Sequence, residues 1–281
     1  MVDLAQRHDE PLFEDISLSP ADIKVNRIGI EDLWECLRKG YDDFSNKPSS
    51  AVALLILYYP LAAVIFTLFA LDQELRYLLF PLVAGFTLFG PIVAVVFFGL
   101  SRSREKGEEM RWRVAYRFVH SASFAPILGL SIVMTLLYLF WLYGAELLFF
   151  GIMGSAPIES AGSFFGRLFS TREGWLLIAY GNFVGFLFAF AAMALSIVSF
   201  PLALDKPVTA ITAASVSVRA FTTNSVVLGV WGLVVVGLLA LGTATLLMGL
   251  ALVLPVLGHA TWHLYRKLIE FEANSESELE S

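Results

Sequence analysis

Long apolar runs bounded by charged residues dominate the hydropathy pattern of this 281-residue chain. A helix needs about 20 mostly apolar residues to cross a bilayer, and four runs reach that length. We predict that each of them forms one membrane-spanning helix. The runs extend over Ser50–Leu71, Tyr77–Leu100, Ser123–Leu142 with an extension to Phe150 left open, and Trp175–Leu204.

A fifth apolar region extends over about residues 225–265. At about 1.5 Å per residue, a single helix here would be roughly 60 Å long, twice the hydrocarbon thickness of a bilayer. We therefore predict two helices. The weakest helical stretch of this region is Gly242-Thr243-Ala244-Thr245, which is the predicted turn. The whole pattern then predicts six spans arranged as three hairpins.

A stretch with helical periodicity precedes each hairpin. Apolar residues recur there every three or four positions, with charged residues between them in the first two stretches, as in an amphipathic helix at a membrane surface. The predicted fold is therefore an all-α integral membrane protein in which an interfacial amphipathic helix precedes each hairpin. The periodic positions are Ile30, Leu33, Trp34, Leu37, Tyr41 and Phe44 in the first stretch, Trp112, Ala115, Tyr116 and Val119 in the second, and Val208, Ile211, Ser215 and Val218 in the third.

Each hairpin also has a proline in its second span, at Pro91, Pro201 and Pro255, where we predict helix kinks. An arginine lies eleven residues after the first and the last proline, whereas Asp205 lies four residues after the middle one. These similarities predict a threefold repeat, although membrane helices also tolerate proline without any repeat. The repeat units are 28–106, 107–206 and 207–268. The acidic tails, 1–27 and 269–281, are expected to be mostly disordered.

The distribution of lysine and arginine predicts the orientation. Sixteen of the 19 basic residues fall in the N-terminal segment, the two loops after the second spans and the C-terminal tail. The opposite loops contain only Arg76, Arg167 and Arg172. Because basic residues accumulate on the cytoplasmic side, both termini are predicted to be cytoplasmic in a multi-pass protein of the bacterial inner membrane.

Composition agrees with this class and narrows the function. The chain is 57% hydrophobic and 16% charged, with a mean hydropathy of +0.72, which is more apolar than one soluble core requires. A net charge of −6 without a basic run gives no indication of nucleic-acid binding. Sequence signatures of hydrolases and transferases are absent, and the span centres carry no charged residue, so we expect no enzyme.

The segment GHATWHLYRK, residues 258–267, is the strongest candidate for chemistry. One interpretation treats His259 and His263, one helical turn apart, as metal ligands, with His120 as the third histidine available. The favoured interpretation is an anchor at the cytoplasmic interface. In that case Gly258 and Ala260 allow close helix packing. The anchoring side chains would be Trp262, Tyr265, Arg266 and Lys267.

Four segments together resemble an uncharacterised family of proteobacterial integral membrane proteins: IGIEDLWECLRKGYDDF, LFGPIVAVVFFGLSRSREKGE, FPLALDKPVTAITAASVSVRAF and LPVLGHATWHLYR. The resemblance implies a six-span inner-membrane protein without an established activity. Members are sometimes labelled cytochrome c oxidase subunit I. A haem-copper oxidase core needs about six histidine ligands, whereas this chain has four histidines, so that label does not fit.

Three functions remain open at this point. The first is a non-enzymatic accessory, assembly or scaffold protein that acts through helix packing and its interfacial helices. The second is a transporter or channel for a weakly polar or lipidic substrate, with proline-broken helices along the repeat axis. The third is a metal- or haem-handling protein. The expected partners are the lipid bilayer and another membrane protein, no cofactor is expected, and the oligomeric state is left open.

Overall fold

The computed structural model describes residues 18–46, 81, 90–107, 121–154, 161–245 and 249–271. Within these ranges the chain is almost entirely helical, with one short antiparallel strand pair, β1 and β2. The strands are Ile23–Val25 and Ile269–Phe271. The helices are α1 (Ile30–Asn46), α2 (Gly90–Glu105), α3 (Phe124–Met153), α4 (Ala161–Ser170), α5 (Arg172–Ser196), α6 (Ser199–Asp205), α7 (Ala210–Thr223), α8 (Ser225–Ala244) and α9 (Leu250–Leu268).

Three described helical segments are long and apolar enough to cross a membrane. They correspond to the predicted third and fourth spans and to the first helix of the fifth apolar region. The predicted span at Ser50–Leu71 lies outside the described residues, and the span at Tyr77–Leu100 is described only at 81 and 90–100. The three segments are Phe124–Met153, Arg172–Asp205 and Ser225–Ala244.

The long apolar region near the C-terminus forms two helices, as predicted. The break lies later than expected, because α8 continues to Ala244 and α9 begins at Leu250. Thr245 ends α8: its hydroxyl donates to the carbonyl of Gly242 and accepts from the N–H of Gly249, both over 2.8 Å. The predicted turn residues before Thr245 therefore stay helical, and the threonine side chain sets the end of the helix.

Only one of the three predicted kink prolines coincides with an interruption of a helix. Ile197 and Val198 form a turn between α5 and α6, and Pro201 lies four residues after Ile197. Since proline has no N–H, it cannot donate to the carbonyl four residues before it. Pro255 instead lies inside the continuous helix α9, and Pro91 lies in the first described turn of α2.

The amphipathic helices expected before the first and third hairpins are present as α1 and α7. The predicted apolar face of α7 is wrong, because Ile211 is 83% exposed and Ser215 is exposed too. Apart from Phe221, the buried face is made of smaller residues, which let α7 lie closely across α5 and α6. It consists of Ala213, Val216, Ser217, Ala220 and Phe221. The stretch around Trp112 lies outside the described residues.

The most extensive helix contact joins the two ends of the described chain, α1 against α9. A Cβ on Gly40 would lie 2.6 Å from the backbone nitrogen of Ala260, and a Cβ on Gly258 would lie 2.7 Å from Cβ of Phe97. Neither position has room for a side chain. The packing role predicted for Gly258 and Ala260 is confirmed, with Gly40 as the partner that the prediction lacked.

The predicted disorder of the tails is wrong for residues 18–27 and 269–271. Strand β1 pairs with β2 in the register Ile23 to Phe271, and the N–H of Asn26 donates to the carbonyl of Leu268 over 2.8 Å. Leu18 is buried and donates its N–H to the carbonyl of Pro207. These residues have backbone partners and apolar contacts. The acidic composition of the tails around them did not indicate this.

Candidate functional site at the charged ends of α1, α2 and α9

The C-terminal half of α9 directs two histidines at one carboxylate. His259 and His263 are one helical turn apart, so their rings lie on the same side of α9. Their common partner is Asp43, near the end of α1. His263 Nε2 lies 3.0 Å from Asp43 Oδ2, and His259 Nδ1 lies 3.9 Å from the same oxygen.

Ser101 on α2 bridges the longer of these two gaps. Its Oγ lies 2.6 Å from Asp43 Oδ2 and 2.8 Å from His259 Nδ1. Arg104, one turn further along α2, donates from Nη1 to Asp43 Oδ1 over 2.7 Å. We call these side chains the Asp43 network: Asp43, Ser101, Arg104, His259 and His263. The network joins three helices at a single carboxylate.

Burial differs along the network. The His259 side chain is 4% exposed and lies edge-on to the ring of Phe97, with 5.7 Å between the ring centroids. His263 and Asp43 are more accessible, at 15% and 10%. They border an open cavity of ≈370 Å³, so one end of the network is close to water and the other is inside the protein. The cavity is lined by Lys39, Asp42, Asp43, Ser101, Arg104, Glu105 and His263.

Asp43 is ionised at neutral pH. Burial acts to raise the pKa of its carboxyl group, but the hydrogen bonds from His263 and Ser101 outweigh this and hold the pKa below its ordinary value. An ionised carboxylate accepts hydrogen bonds and cannot donate them. His263 Nε2 therefore carries the hydrogen of its contact with Asp43.

A second ionic contact fastens α1 to the end of α9. Lys267 Nζ donates to Asp32 Oδ1 and to Glu35 Oε2, each over 2.6 Å. The hydrogen bond from Lys267 is the main cause that lowers the pKa of Asp32 and brings the pKa of Glu35 to about 2. Lysine therefore bridges two carboxylates of α1, and all three groups stay charged near neutral pH.

A third cluster forms where α2, α6 and α9 meet. The carboxylate of Asp205 accepts from Arg102 Nε and from the Tyr265 hydroxyl, each over 3.0 Å, and lies 3.4 Å from Arg266 Nη1. The two arginines are the residues that follow the first and last kink prolines by eleven positions. The segments that the repeat prediction equates thus converge on one carboxylate.

Tyr265 and Trp262 have no exposed surface. The predicted anchor role, in which these rings would meet lipid headgroups, is corrected: both are enclosed by the protein, with 5.4 Å between their centroids. Arg266 and Lys267 are partly exposed but pair with carboxylates of α1, α2 and α6. Aromatic and basic residues at a helix end form the same sequence pattern whether they meet lipid headgroups or pack inside the protein.

The predicted metal ligands meet only in part. His259 and His263 share Asp43, whereas His120 lies outside the described residues. Within the described ranges, no group of three or more His, Cys, Asp or Glu side chains could hold a metal ion. The chemistry that this arrangement supports directly is hydrogen bonding and proton exchange around Asp43.

Sequence reasoning missed the residues on which the histidines depend. Asp43 is one of seven charged residues in α1, and Ser101 stands among the charged residues that follow the second apolar run. Neither belongs to a motif with histidine.

These observations define the class: an integral membrane protein with a charged, hydrogen-bonded network at one end of its helices. Residues 79–205 match a family model described as "Predicted integral membrane protein (DUF2189)", a domain of unknown function. The resemblance to an uncharacterised membrane-protein family is thereby confirmed. Comparison with curated proteins found no match, and comparison with solved structures found none either.

Proposed function

We propose that this protein is a non-enzymatic accessory, assembly or scaffold protein of the bacterial inner membrane. In this proposal its six spans form three hairpins, both termini are cytoplasmic, and α1 lies at the cytoplasmic surface of the bilayer. The protein acts by holding a membrane-protein partner against α1. The charge distribution along the chain supports the orientation, and the three described apolar segments support a multi-pass arrangement.

The proposal rests on the exposed aromatic side chains of α1. One side of this helix is packed on α9 through Leu33, Cys36 and Gly40, which are buried. The neighbouring side exposes Trp34 by 63% and Tyr41 by 54%. A helix that is fixed on one face and exposes large aromatic side chains on the next has the composition of a binding surface, where Trp and Tyr are enriched.

The charged side chains that connect the helices support a packing role rather than catalysis. Asp43, Asp205 and Lys267 each bind side chains of other helices within the chain. Such contacts orient helices relative to one another, and they leave α1 as a rigid platform. An assembly factor needs a platform of this kind, because binding costs less when the binding surface is already ordered.

Purification of the chain with its partners from membranes in mild detergent tests the proposal. Replacing Trp34 and Tyr41 with alanine should remove a co-purifying membrane protein and leave the melting temperature unchanged. The matched control replaces Trp175 and Tyr180, which are exposed by 58% and 54% but belong to α5. Equal co-purification from both double variants would contradict the proposal.

A transporter is the second proposal, and the interruption between α5 and α6 favours it. Transporters often bind substrate where a spanning helix is broken. A cysteine at Val198, in a Cys36→Ala background, would test access to this break. Reaction with a membrane-impermeant thiol reagent in sealed vesicles would favour a pathway, and protection of a side chain that is buried here would count against one.

A further inference from the structure

An apolar groove separates α3 from α7 next to a close contact of these two helices. A Cβ on Gly129 of α3 would lie 3.2 Å from Cβ of Ala210 of α7, so this contact has little room for a further side chain. One turn further along each helix, at Val133 and Ala214, the helices leave an open space of ≈100 Å³ between them. The groove is formed by α3, α5, α6 and α7, whereas the Asp43 network joins α1, α2 and α9.

The groove is closed on its inner side and open on its outer side. Met134 of α3 and Phe200 of α6 belong to the inner wall, with 1% and no exposed surface. Val133 of α3 and Ile211 of α7 form the outer edges and are 45% and 83% exposed. A ligand therefore enters the groove from the outer surface of the helices.

The outer surface beside the groove belongs to helices that are long and apolar enough to cross a membrane. Val133 continues a row of exposed apolar side chains on α3 that includes Leu128, Ile132 and Leu136. Helix α3 has 30 residues and is about 45 Å long, which matches a bilayer with its headgroups. Val133 lies about 14 Å from the start of this helix, at the depth of the acyl chains of one leaflet.

The chemistry of the groove excludes water as its occupant. Every described side chain that lines it is apolar. The neighbouring hydroxyls of Ser131 and Thr135 donate to carbonyls of their own helix, each over 2.8 Å. A bound water needs roughly two to four polar partners, which this groove does not offer. If the groove were empty, its lining would lose dispersion contacts, so an alkyl chain from the surrounding bilayer is the favourable occupant.

We propose that the groove between α3 and α7 binds one acyl chain of a phospholipid from the leaflet in which α3 begins. The chain passes between Val133 and Ile211 and contacts Met134 on the inner wall. Because the lining is apolar, the groove recognises the chain and not the headgroup, so phosphatidylethanolamine and phosphatidylglycerol bind alike. The small side chains of Ala210 and Ala214 leave the space that the chain occupies. This inference concerns a bound lipid and does not depend on the proposed partner.

Met134 distinguishes a chain bound in the groove from lipid that only surrounds the protein. Its side chain is almost fully buried and borders the groove, so surrounding lipid does not reach it. Leu136 of the same helix is 49% exposed and serves as the reference for surrounding lipid. The test uses the full chain in nanodiscs that contain a phospholipid with a diazirine on its acyl chain. After illumination, peptide mass spectrometry compares the label at Met134 with the label at Leu136.

We expect label at both Met134 and Leu136 in the parent chain, with either headgroup on the photoreactive lipid. Ala214→Leu places an isopropyl group in the groove, so the label at Met134 should be lost while the label at Leu136 stays. Ala214→Gly leaves the groove open and should keep both. The matched control is Ala189→Leu, the same substitution at an exposed position of the spanning helix α5, and it should also keep both.

Three results would overturn the proposal. The first is a parent chain without label at Met134, as expected if a partner helix or a second copy of the chain fills the groove. The second is a label at Met134 that Ala214→Leu does not reduce, because the lipid would then reach this residue by another route. The third is a label at Met134 with only one of the two headgroups, because polar contacts would then hold the lipid. The parent chain alone can give the first and the third result, so the test does not depend on the folding of Ala214→Leu.

Discussion

At the scale of single residues, α1 can pack closely on α9 because Gly40 has no side chain. The backbone of α9 approaches this position so closely that an added Cβ would lie 2.6 Å from a nitrogen and 2.7 Å from the carbonyl oxygen of Val256. Backbone atoms cannot move aside as the end of a flexible side chain can. The two helices would have to separate, and the contacts of Asp43 and Lys267 would lengthen with them.

Gly40→Ala should therefore destabilise the protein by about 1–3 kcal/mol, the usual cost of overpacking. Gly99→Ala is the matched control: it is the same substitution in helix α2, where an added Cβ meets nothing within 4 Å. Its effect should be neutral or slightly stabilising. The measurement is the melting temperature of each variant in detergent, and equal values would contradict the role assigned to Gly40.

The histidines show how far single residues could be predicted. Their spacing correctly placed both rings on one side of a helix, and their position near Arg266 correctly placed them near its charged end. The spacing could not reveal Asp43 or Ser101, because those residues come from helices 158 or more positions away along the chain. Long-range partners of this kind leave no periodic trace in the sequence.

The metal interpretation has a direct measurement of its own. We expect the purified protein to carry well under one equivalent of tightly bound transition metal and to show no Soret band, because one ring nitrogen of each histidine is already bound, by Ser101 in His259 and by Asp43 in His263. Metal analysis and absorption spectra test this. Stoichiometric zinc, copper, iron or haem that is lost in His259→Gln would reverse the interpretation.

At the scale of helices, the interruption between α5 and α6 is repaired by a side chain from α7. Ser217 Oγ accepts from the N–H of Val198 over 3.1 Å and donates to the carbonyl of Ala194 over 2.8 Å. The break leaves both backbone groups without helical partners; Val198 is buried and Ala194 is partly buried. This repair explains why the buried face of α7 contains a serine at its centre.

Ser217→Ala should cost about 1–3 kcal/mol, because it leaves a buried N–H and a partly buried carbonyl without partners. Ser215→Ala is the control on the same helix: that hydroxyl is exposed and binds only the carbonyl of Thr212 in its own helix. Thermal unfolding in detergent compares the two. A larger loss in Ser215→Ala would contradict the proposed repair.

The acidic partners of Lys267 predict that the stability of the protein depends on pH in the acidic range. The pKa values of Asp32 and Glu35 are lowered in the folded chain, so their contribution to stability is present above about pH 4 and is lost as the pH falls towards 2. We expect the melting temperature to drop between pH 4 and pH 2. The drop should be smaller in Lys267→Met, and an equal drop in both proteins would argue against this contact.

The sequence predicted where α1 and α7 form, but not which side of each helix packs against the protein. Periodicity located α1 and α7, but each helix has apolar residues on more than one side, and a single sequence does not say which side meets protein and which remains exposed. The ten-residue helix α4 was missed altogether, although its sequence SFFGRLF has phenylalanines at helical spacing. Its position between two apolar runs made it resemble an ordinary loop.

At the scale of the whole molecule, the two described amphipathic helices make equivalent contacts. Helix α7 packs on α5 and α6, which precede it in the chain, and α1 packs on α9, the last of the described helices. In both cases the helix that introduces one predicted hairpin lies against the second span of another. A ring of three hairpins would require this relation, so the contacts support the predicted repeat.

Fusions of alkaline phosphatase test the proposed orientation of the whole chain. Because the enzyme is active only outside the cytoplasm, we expect activity from fusions in the three loops poor in basic residues and none from fusions on the basic side. Activity at Lys106 or Ser275 would overturn the model. The active positions should be Gln73, Ser160 and Thr243, and the inactive ones Lys106, Lys206 and Ser275.

The contact between the two ends of the chain gives the final prediction. Strand β2 joins the end of α9 to β1, and the ring of its last residue, Phe271, lies 4.6 Å below Lys206 Nζ. Deleting residues 273–281 leaves this contact intact, so the melting temperature should equal that of the full chain.

Deleting 269–281 removes the strand, exposes the backbone of β1 and frees the segment that leads into α1. It should lower the melting temperature and raise the rate at which a small maleimide labels the buried thiol of Cys36, because α1 is then attached by its own contacts alone. Equal labelling rates in the two truncated proteins would show that α1 does not depend on the strand pair.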